Sequence, residues 1–124
     1  MFGRKKEKAT KPRFETDLTI NPKEIEKPIS RGEPWKIVTI SSKIYTSGSR
    51  KIPIDFTIIH PNGKNESNMV PAVGEDGHNT ANISLSYHIE HDSEVGDYEI
   101  IAKIRNCEST KEEDCKRNGL FTVK

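Results

Sequence analysis

Hydrophobic and polar residues alternate along most of the chain after residue 13. A period of two is the pattern of β-strands that bury one face. It predicts seven strands, at 14–20, 35–45, 52–59, 68–73, 80–91, 97–104 and 120–124. Pro71 interrupts the strand at 68–73, which is the weakest of the seven, and the best helix candidate is the polar segment 109–117. The pattern therefore predicts an all-β domain over 14–124. We also expect Trp35 to pack at least partly into the core of this domain.

The apolar composition supports this fold class. The chain has fifteen Ile, five Val and nine Thr, but only three Leu and four Ala. Branching at Cβ suits a pleated strand better than a helix. Seven short alternating strands in about 100 residues are typical of an immunoglobulin-like sandwich, and a closed barrel is the main alternative.

Positive charge is concentrated at the amino terminus. Residues 1–13 have a net charge of +5, and the remaining 111 residues hold 14 basic and 18 acidic groups. We therefore expect a flexible arm. Its basic residues are candidates for binding nucleic acid, an anionic membrane surface or an acidic partner, and they are Arg4, Lys5, Lys6, Lys8, Lys11 and Arg13. A merely solubilising tail is the alternative. The body of the domain lacks the basic surface of a nucleic-acid-binding fold, so nucleic acid is expected to contact only the arm, if it binds at all.

Cys107 and Cys115 lie in a polar loop between the last two predicted strands. Two cysteines are too few for a usual zinc site, which needs four N or S ligands. We predict a disulfide that closes a hairpin excursion, with two free thiols as the alternative. A loop ordered in this way loses less entropy on binding, so its charged residues are a candidate contact site for a partner: Glu108, Lys111, Glu112, Glu113 and Asp114.

Catalytic and metal-binding motifs are weak in this sequence. There is no GxSxG elbow and no glycine-rich phosphate loop. His88 and His91 would point to opposite faces of a strand, so surface histidines are a better interpretation than a metal site. We expect a non-enzymatic protein without a cofactor or bound metal.

The segment Asp92 to Ile100 resembles the entry to strand F of immunoglobulin-like domains, where a glycine precedes the tyrosine of the tyrosine corner. Gly96 and Tyr98 occupy those two positions, and Ile100 stands where antibody domains have a cysteine. Together with the strands at 38–40 and 52–58 and the turn at 61–63, this pattern is similar to modules of bacterial and archaeal cell-surface proteins and macroglobulin-type proteins. The resemblance implies that the Tyr98 side chain is buried and that its hydroxyl bonds to nearby backbone.

The resemblance implies an assembly or adhesion module that binds another protein or copies of itself. A cell-surface location follows from the resemblance, whereas the absence of a signal peptide favours the cytoplasm. The alternative function is a cytoplasmic accessory protein that its basic arm anchors to nucleic acid or a ribonucleoprotein. No transmembrane segment is predicted.

Overall fold

A computed structural model describes residues 12–46, 51–74 and 79–124. This part of the chain forms nine strands and one helical turn. In chain order they are β1 (Arg13–Phe14), β2 (Thr19–Asn21), β3 (Glu24–Ile25), β4 (Lys36–Tyr45), β5 (Lys51–Ile59), β6 (Asn65–Gly74), β7 (Thr80–Ile89), β8 (Gly96–Ile104), α1 (Glu112–Cys115) and β9 (Lys116–Val123). The all-β prediction is confirmed.

The strands form one curled, mixed sheet. Its order is β1-β4-β7-β6-β5-β8-β9-β3, and β2 also pairs with β4. All pairs are antiparallel except β3 with β9, which are parallel. Within the described residues, β1 and β3 lie at opposite ends of this order and do not pair, so hydrogen bonds do not close the sheet into a barrel.

The inward faces of the long strands meet in one hydrophobic core. Alternate residues of each strand supply it, as the period-two pattern predicts. Its largest fully buried side chains are Tyr98, Phe56, Phe121, Ile40, Ile44, Ile54, Ile58, Ile83, Ile89, Ile100, Val38 and Val123. Isoleucine dominates this core because its branched side chain packs well on a pleated surface.

The strand predicted at 14–20 is broken into β1 and β2. Phe14 pairs with Ile44 and Thr19 pairs with Ser41, so the first segment has two more residues than the part of β4 beside it. The Ser42 hydroxyl donates to the carbonyl of Thr16 (2.9 Å), and the Thr16 hydroxyl accepts from the Lys43 amide (3.0 Å). These polar contacts replace the regular ladder with β4 in the segment between β1 and β2. The bulge cannot be recognised in the sequence, because Phe14 and Ile20 keep the same alternating phase on either side of it.

Trp35 lies outside the core and is not among the side chains that pack against it, so the prediction that it packs at least partly into the core is wrong. Its side chain is 55% exposed and stacks on His88 with ring centroids 4.9 Å apart. Trp35 comes before β4 in the same phase as Ile37, which is also exposed. The buried phase of β4 starts one residue later, at Val38. The alternation of side chains therefore directs Trp35 outward.

Gly96 and Tyr98 form the corner at the start of β8. The Tyr98 side chain is 1% exposed, and its hydroxyl donates to the carbonyl of Glu94 (2.9 Å). Its ring stacks on Phe121 with centroids 4.9 Å apart. This is the geometry expected of a tyrosine corner.

Replacing Tyr98 with Phe tests the corner. The Tyr98→Phe variant keeps the ring but loses the bond to Glu94, so the free energy of unfolding should fall by about 1–1.5 kcal/mol. Tyr45→Phe is the matched control, since Phe retains the ring that lies under Arg13 (4.3 Å). Urea denaturation should show a change below about 0.5 kcal/mol for the control. Equal losses in both variants would contradict the role assigned to the Tyr98 hydroxyl.

Arg13 belongs to the folded sheet and not to the flexible arm predicted over 1–13. It pairs with Tyr45 in β1, and its guanidinium lies over the Tyr45 ring. The other arm residues, Arg4, Lys5, Lys6, Lys8 and Lys11, lie outside the described residues. Within the described residues, no helix is long and apolar enough to cross a membrane.

Candidate functional site: a groove between β6 and β7

β6 and β7 pair at one end and then separate. Their ladder contains only Val73 with Asn82 and Gly74 with Ala81. Beyond this point β6 follows β5, and β7 follows β4 along its whole length. The facing edges of β6 and β7 therefore diverge, and a groove opens between them.

The open edge of β7 carries backbone groups at every second residue. The Thr46 amide donates to the carbonyl of Asn79 (2.9 Å), so this pair is a hydrogen-bonded pair of the β4–β7 ladder. In an antiparallel ladder, such pairs recur every two residues, and the residues between them direct N–H and C=O to the other side. Ser84, Ser86 and His88 therefore present their backbone groups to the groove.

The residues on the open edge of β6 are identified in the same way, from the phase of its hydrogen bonds with β5. The His60 amide donates to the carbonyl of Lys64 (2.8 Å), which fixes the phase of the β5–β6 ladder. Asn65, Ser67 and Met69 are consequently directed away from β5 and toward the groove. These positions lie opposite residues of β5 on one side of β6, and Ser84, Ser86 and His88 lie opposite residues of β4 on one side of β7. On the groove side, no strand in the described part of the chain pairs with any of them.

The groove has a volume of about 460 Å³, and its lining carries acidic residues without basic Lys or Arg. Leu85 and Tyr87 supply its apolar surface, and Glu66, Glu90 and Asp92 supply three carboxylates. Asn68, Ser86, His88 and Ser93 complete the lining, so none of the lining residues is Lys or Arg. The arrangement offers hydrogen bonds, a small apolar surface and negative charge.

Glu66 joins a hydrogen-bonded network at the wall of the groove. Its Oε1 accepts from the Tyr87 hydroxyl (2.9 Å) and lies 2.9 Å from Nε2 of His60. Burial raises the pKa of Glu66, but the bonds from His60 and Tyr87 and the charge of His60 outweigh burial, so the pKa is lowered. Burial, followed by the neighbouring Glu66, raises the pKa of Tyr87. The network holds Glu66 in its charged form.

The Glu66 network predicts a specific pH dependence. The pKa of Glu66 is lowered in the folded state, so its contribution to stability is present above the unfolded value near 4.5 and is lost as pH falls through the folded value. Carboxyl NMR titration should place the Glu66 midpoint below 4.5, and Tyr87→Phe should raise it by removing one donor. An unchanged midpoint in Tyr87→Phe would contradict the network.

The cysteine loop is closed by the predicted disulfide but is spatially separate from the groove. The sulfur atoms of Cys107 and Cys115 lie 2.03 Å apart and the Cα atoms 5.7 Å apart. The loop joins β8 to β9 at the end of β8 opposite the 90–95 connection that borders the groove.

Several of the residues proposed there as a partner site have contacts within the loop. Glu112 pairs with Lys116 (3.1 Å), Asp114 accepts from the Ser109 hydroxyl (2.6 Å), and the Glu113 carbonyl accepts from Arg117 (2.8 Å). Lys111 and Glu108 are exposed. These internal contacts weaken the case for the loop as a docking site, because Glu112 and Asp114 already have partners.

The groove has no signature in the sequence because its two walls, β6 and β7, share no motif. β6 begins at Asn65, three residues before the predicted strand, and its polar first half gives no periodic signal. His60, Glu66 and Tyr87 come together only through the β5–β6 pairing and the curl of the sheet. One sequence signal for a free strand edge was available, because a proline within a strand is typical of an edge. Pro71 lies in β6 opposite Pro53 of β5, at a pair where neither proline interrupts the β5–β6 ladder.

The histidines that the structure describes do not gather into a metal-binding cluster. His88 faces outward and stacks on Trp35, while His60 bonds to Glu66. Within the described residues, no three His, Cys, Asp or Glu side chains lie close enough together to hold a metal ion.

Comparisons with known proteins bear on the fold only. No protein-family model matches the chain, and no curated protein matches it. Among solved structures, it is similar to the Pseudomonas fluorescens alkylpurine DNA glycosylase AlkC bound to DNA containing an abasic site analog, with a TM-score of 0.57 and 12% identity. The match covers 92% of this chain but 30% of that one, so the chain corresponds to under a third of the glycosylase.

Proposed function

We propose that the protein is a non-catalytic protein-binding module and that the groove between β6 and β7 is its binding surface. One observation carries the proposal, namely two strand edges that face each other with unpaired backbone groups. Unpaired edges are natural sites for strand addition by a partner, and proteins generally cover or blunt those they do not use. Within the described residues, no other segment covers these edges.

The finer fold we propose is an immunoglobulin-like sandwich. Pairing of β4 with β7 and of β5, β8 and β9 in succession corresponds to the B–E and C–F–G pairings of such domains. The buried Tyr98 at the start of β8 supports this assignment. The chain differs in that β6 pairs with both β5 and β7, and so links the two layers.

A second candidate function rests on the basic amino terminus. Residues 1–13 have a net charge of +5, and the structurally similar glycosylase is bound to DNA. The arm would then anchor the protein to nucleic acid or a ribonucleoprotein. The domain itself is a poor phosphate-binding surface, since residues 14–124 have four more acidic than basic groups.

Affinity capture with two variants distinguishes the candidates. Ser86→Pro removes a backbone donor that faces the groove and spares the β4–β7 ladder, and Ser86→Ala is its control. If the groove binds protein, Ser86→Pro loses specific partners that Ser86→Ala and nuclease-treated samples retain. Partners lost on nuclease treatment or on deletion of residues 1–11, but retained by Ser86→Pro, would favour the arm.

A further inference from the structure

We propose that the groove binds an extended peptide segment of a partner protein, which adds to the edge of β7 and carries Lys or Arg at alternate positions. The inference rests on the proposed function and specifies the class of partner. It follows from three features of the groove: the phase of its free backbone groups, the shape of its apolar surface and the sign of its charge.

The backbone of β7 sets an extended conformation for the guest. Ser84, Ser86 and His88 each direct one N–H and one C=O to the groove, at a spacing of two residues. Only an extended chain presents partners at that spacing, whereas a helix satisfies its own backbone groups. A guest of about five to seven residues would cover this edge.

The inner side of the groove suits a long cationic side chain. Leu85 and Tyr87 are half-buried and form its apolar surface, and Glu66 lies beside Tyr87 at hydrogen-bond distance. Lys and Arg have an aliphatic stem that packs on such a surface and a charged head that reaches a carboxylate. An arginine could also stack on the Tyr87 ring.

The charge of the groove selects against other guests. Glu66 on β6 and Glu90 and Asp92 after β7 all line the groove, and the lining has no Lys or Arg to offset them. These carboxylates would repel an acidic peptide or a phosphate backbone, most strongly at low salt. A second copy of the chain would have to present a free edge of its own, and edge-to-edge pairing of β7 with β7 would bring two acidic grooves together.

Peptide binding by the full chain tests the inference. The probes are a fluorescein-labelled nonapeptide of alternating Lys and Val, a Glu–Val counterpart, and two forms of the basic peptide N-methylated at every Lys or at every Val. We expect the basic peptide to bind at least about ten times more tightly than the acidic one. At least one of the two N-methylated peptides should fail to bind, because either the Lys residues or the Val residues supply the N–H donors that face β7.

Variants of the protein locate the site. Ser86→Pro should weaken binding of the basic peptide at least about tenfold, and Ser86→Ala should not. Glu66→Gln and Glu90→Gln should each weaken it severalfold, whereas Glu113→Gln in the cysteine loop should leave it unchanged. Circular dichroism confirms folding, and amide NMR shifts at Ser84, Ser86 and His88 provide a readout on the unaltered protein.

The possible outcomes distinguish failure of the cationic guest from failure of the protein-binding groove. Equal binding of acidic and basic peptides, still sensitive to Ser86→Pro, would overturn the cationic guest and leave the protein-binding groove standing. Basic peptides that bind equally well in both N-methylated forms would overturn strand addition. A concentration-dependent dimer that Ser86→Pro dissociates would show that the occupant is a second copy. If the amide signals of β7 do not shift with any probe, the inference is overturned. The affinity capture then remains the test of the proposed function.

Discussion

The Gly96→Ala variant should lower the free energy of unfolding by about 3 kcal/mol. Gly96 has a φ of +136°, which L-residues rarely adopt. A Cβ at this position would also lie 2.9 Å from Cβ of Pro61, in the turn after β5. Both costs apply at once, and the expected loss is a large share of the roughly 5–15 kcal/mol that stabilises a domain. Urea denaturation of the purified protein measures it.

Gly63→Ala is the matched control for Gly96. Gly63 also has a positive φ, +89°, but a Cβ there meets no atom within 4 Å. This variant therefore has only the backbone cost, about 1–2 kcal/mol. Because the two φ values differ, the excess loss in Gly96→Ala over Gly63→Ala sets an upper limit on the cost of the contact between residue 96 and Pro61. Similar losses in both would show that this contact contributes nothing to the corner.

The fold could be predicted from the sequence where one face of a strand is buried. β4, β5, β7 and β8 alternate clearly because each has polar residues on one face and core residues on the other. Strand limits were less certain where burial is weak. β6 has only Ala72 and Gly74 buried, so its polar first half gave no pattern to detect.

Long-range geometry could not be predicted from alternation. Phe14 and Ile20 are both buried, as the pattern requires, yet the chain between them bulges out to bond with Ser42. Trp35 is expected in the core, but its phase along β4 places it outside. Periodicity specifies which face a residue occupies, and it does not specify how strands are paired or spaced. The immunoglobulin-like topology stays a prediction for this reason.

The candidate site also shows that features close together in sequence could be predicted, whereas features that depend on strand pairing could not. The disulfide could be predicted, with two free thiols as the alternative, because the two cysteines lie close together in sequence between two strands that pair. The groove depends on the absence of pairing between β6 and β7 over most of their length. Its carboxylates come from β6 and from the 90–95 connection after β7, so no local motif could indicate it.

Removing the disulfide should destabilise the domain by about 2.5 kcal/mol. The bond joins residues eight apart in sequence, and the chain-entropy cost of closing a loop of about nine residues gives this value. The loop lies between paired strands, since Lys103 pairs with Lys116 directly beside it. The bond therefore restricts the unfolded chain more than it alters the sheet.

The double variant Cys107→Ala/Cys115→Ala provides the test, with the wild-type protein measured under oxidising and reducing conditions. We expect reduced wild type and the double variant to unfold at the same denaturant concentration, below that of the oxidised protein. The reductant should leave the double variant unaffected, which controls for effects on other groups. The sheet that carries the groove should persist in the double variant, because Cys107 and Cys115 are only half-buried and Cys107 merely packs against the edge of the core. Loss of the basic peptide's binding together with the disulfide would contradict the separation of the cysteine loop from the groove.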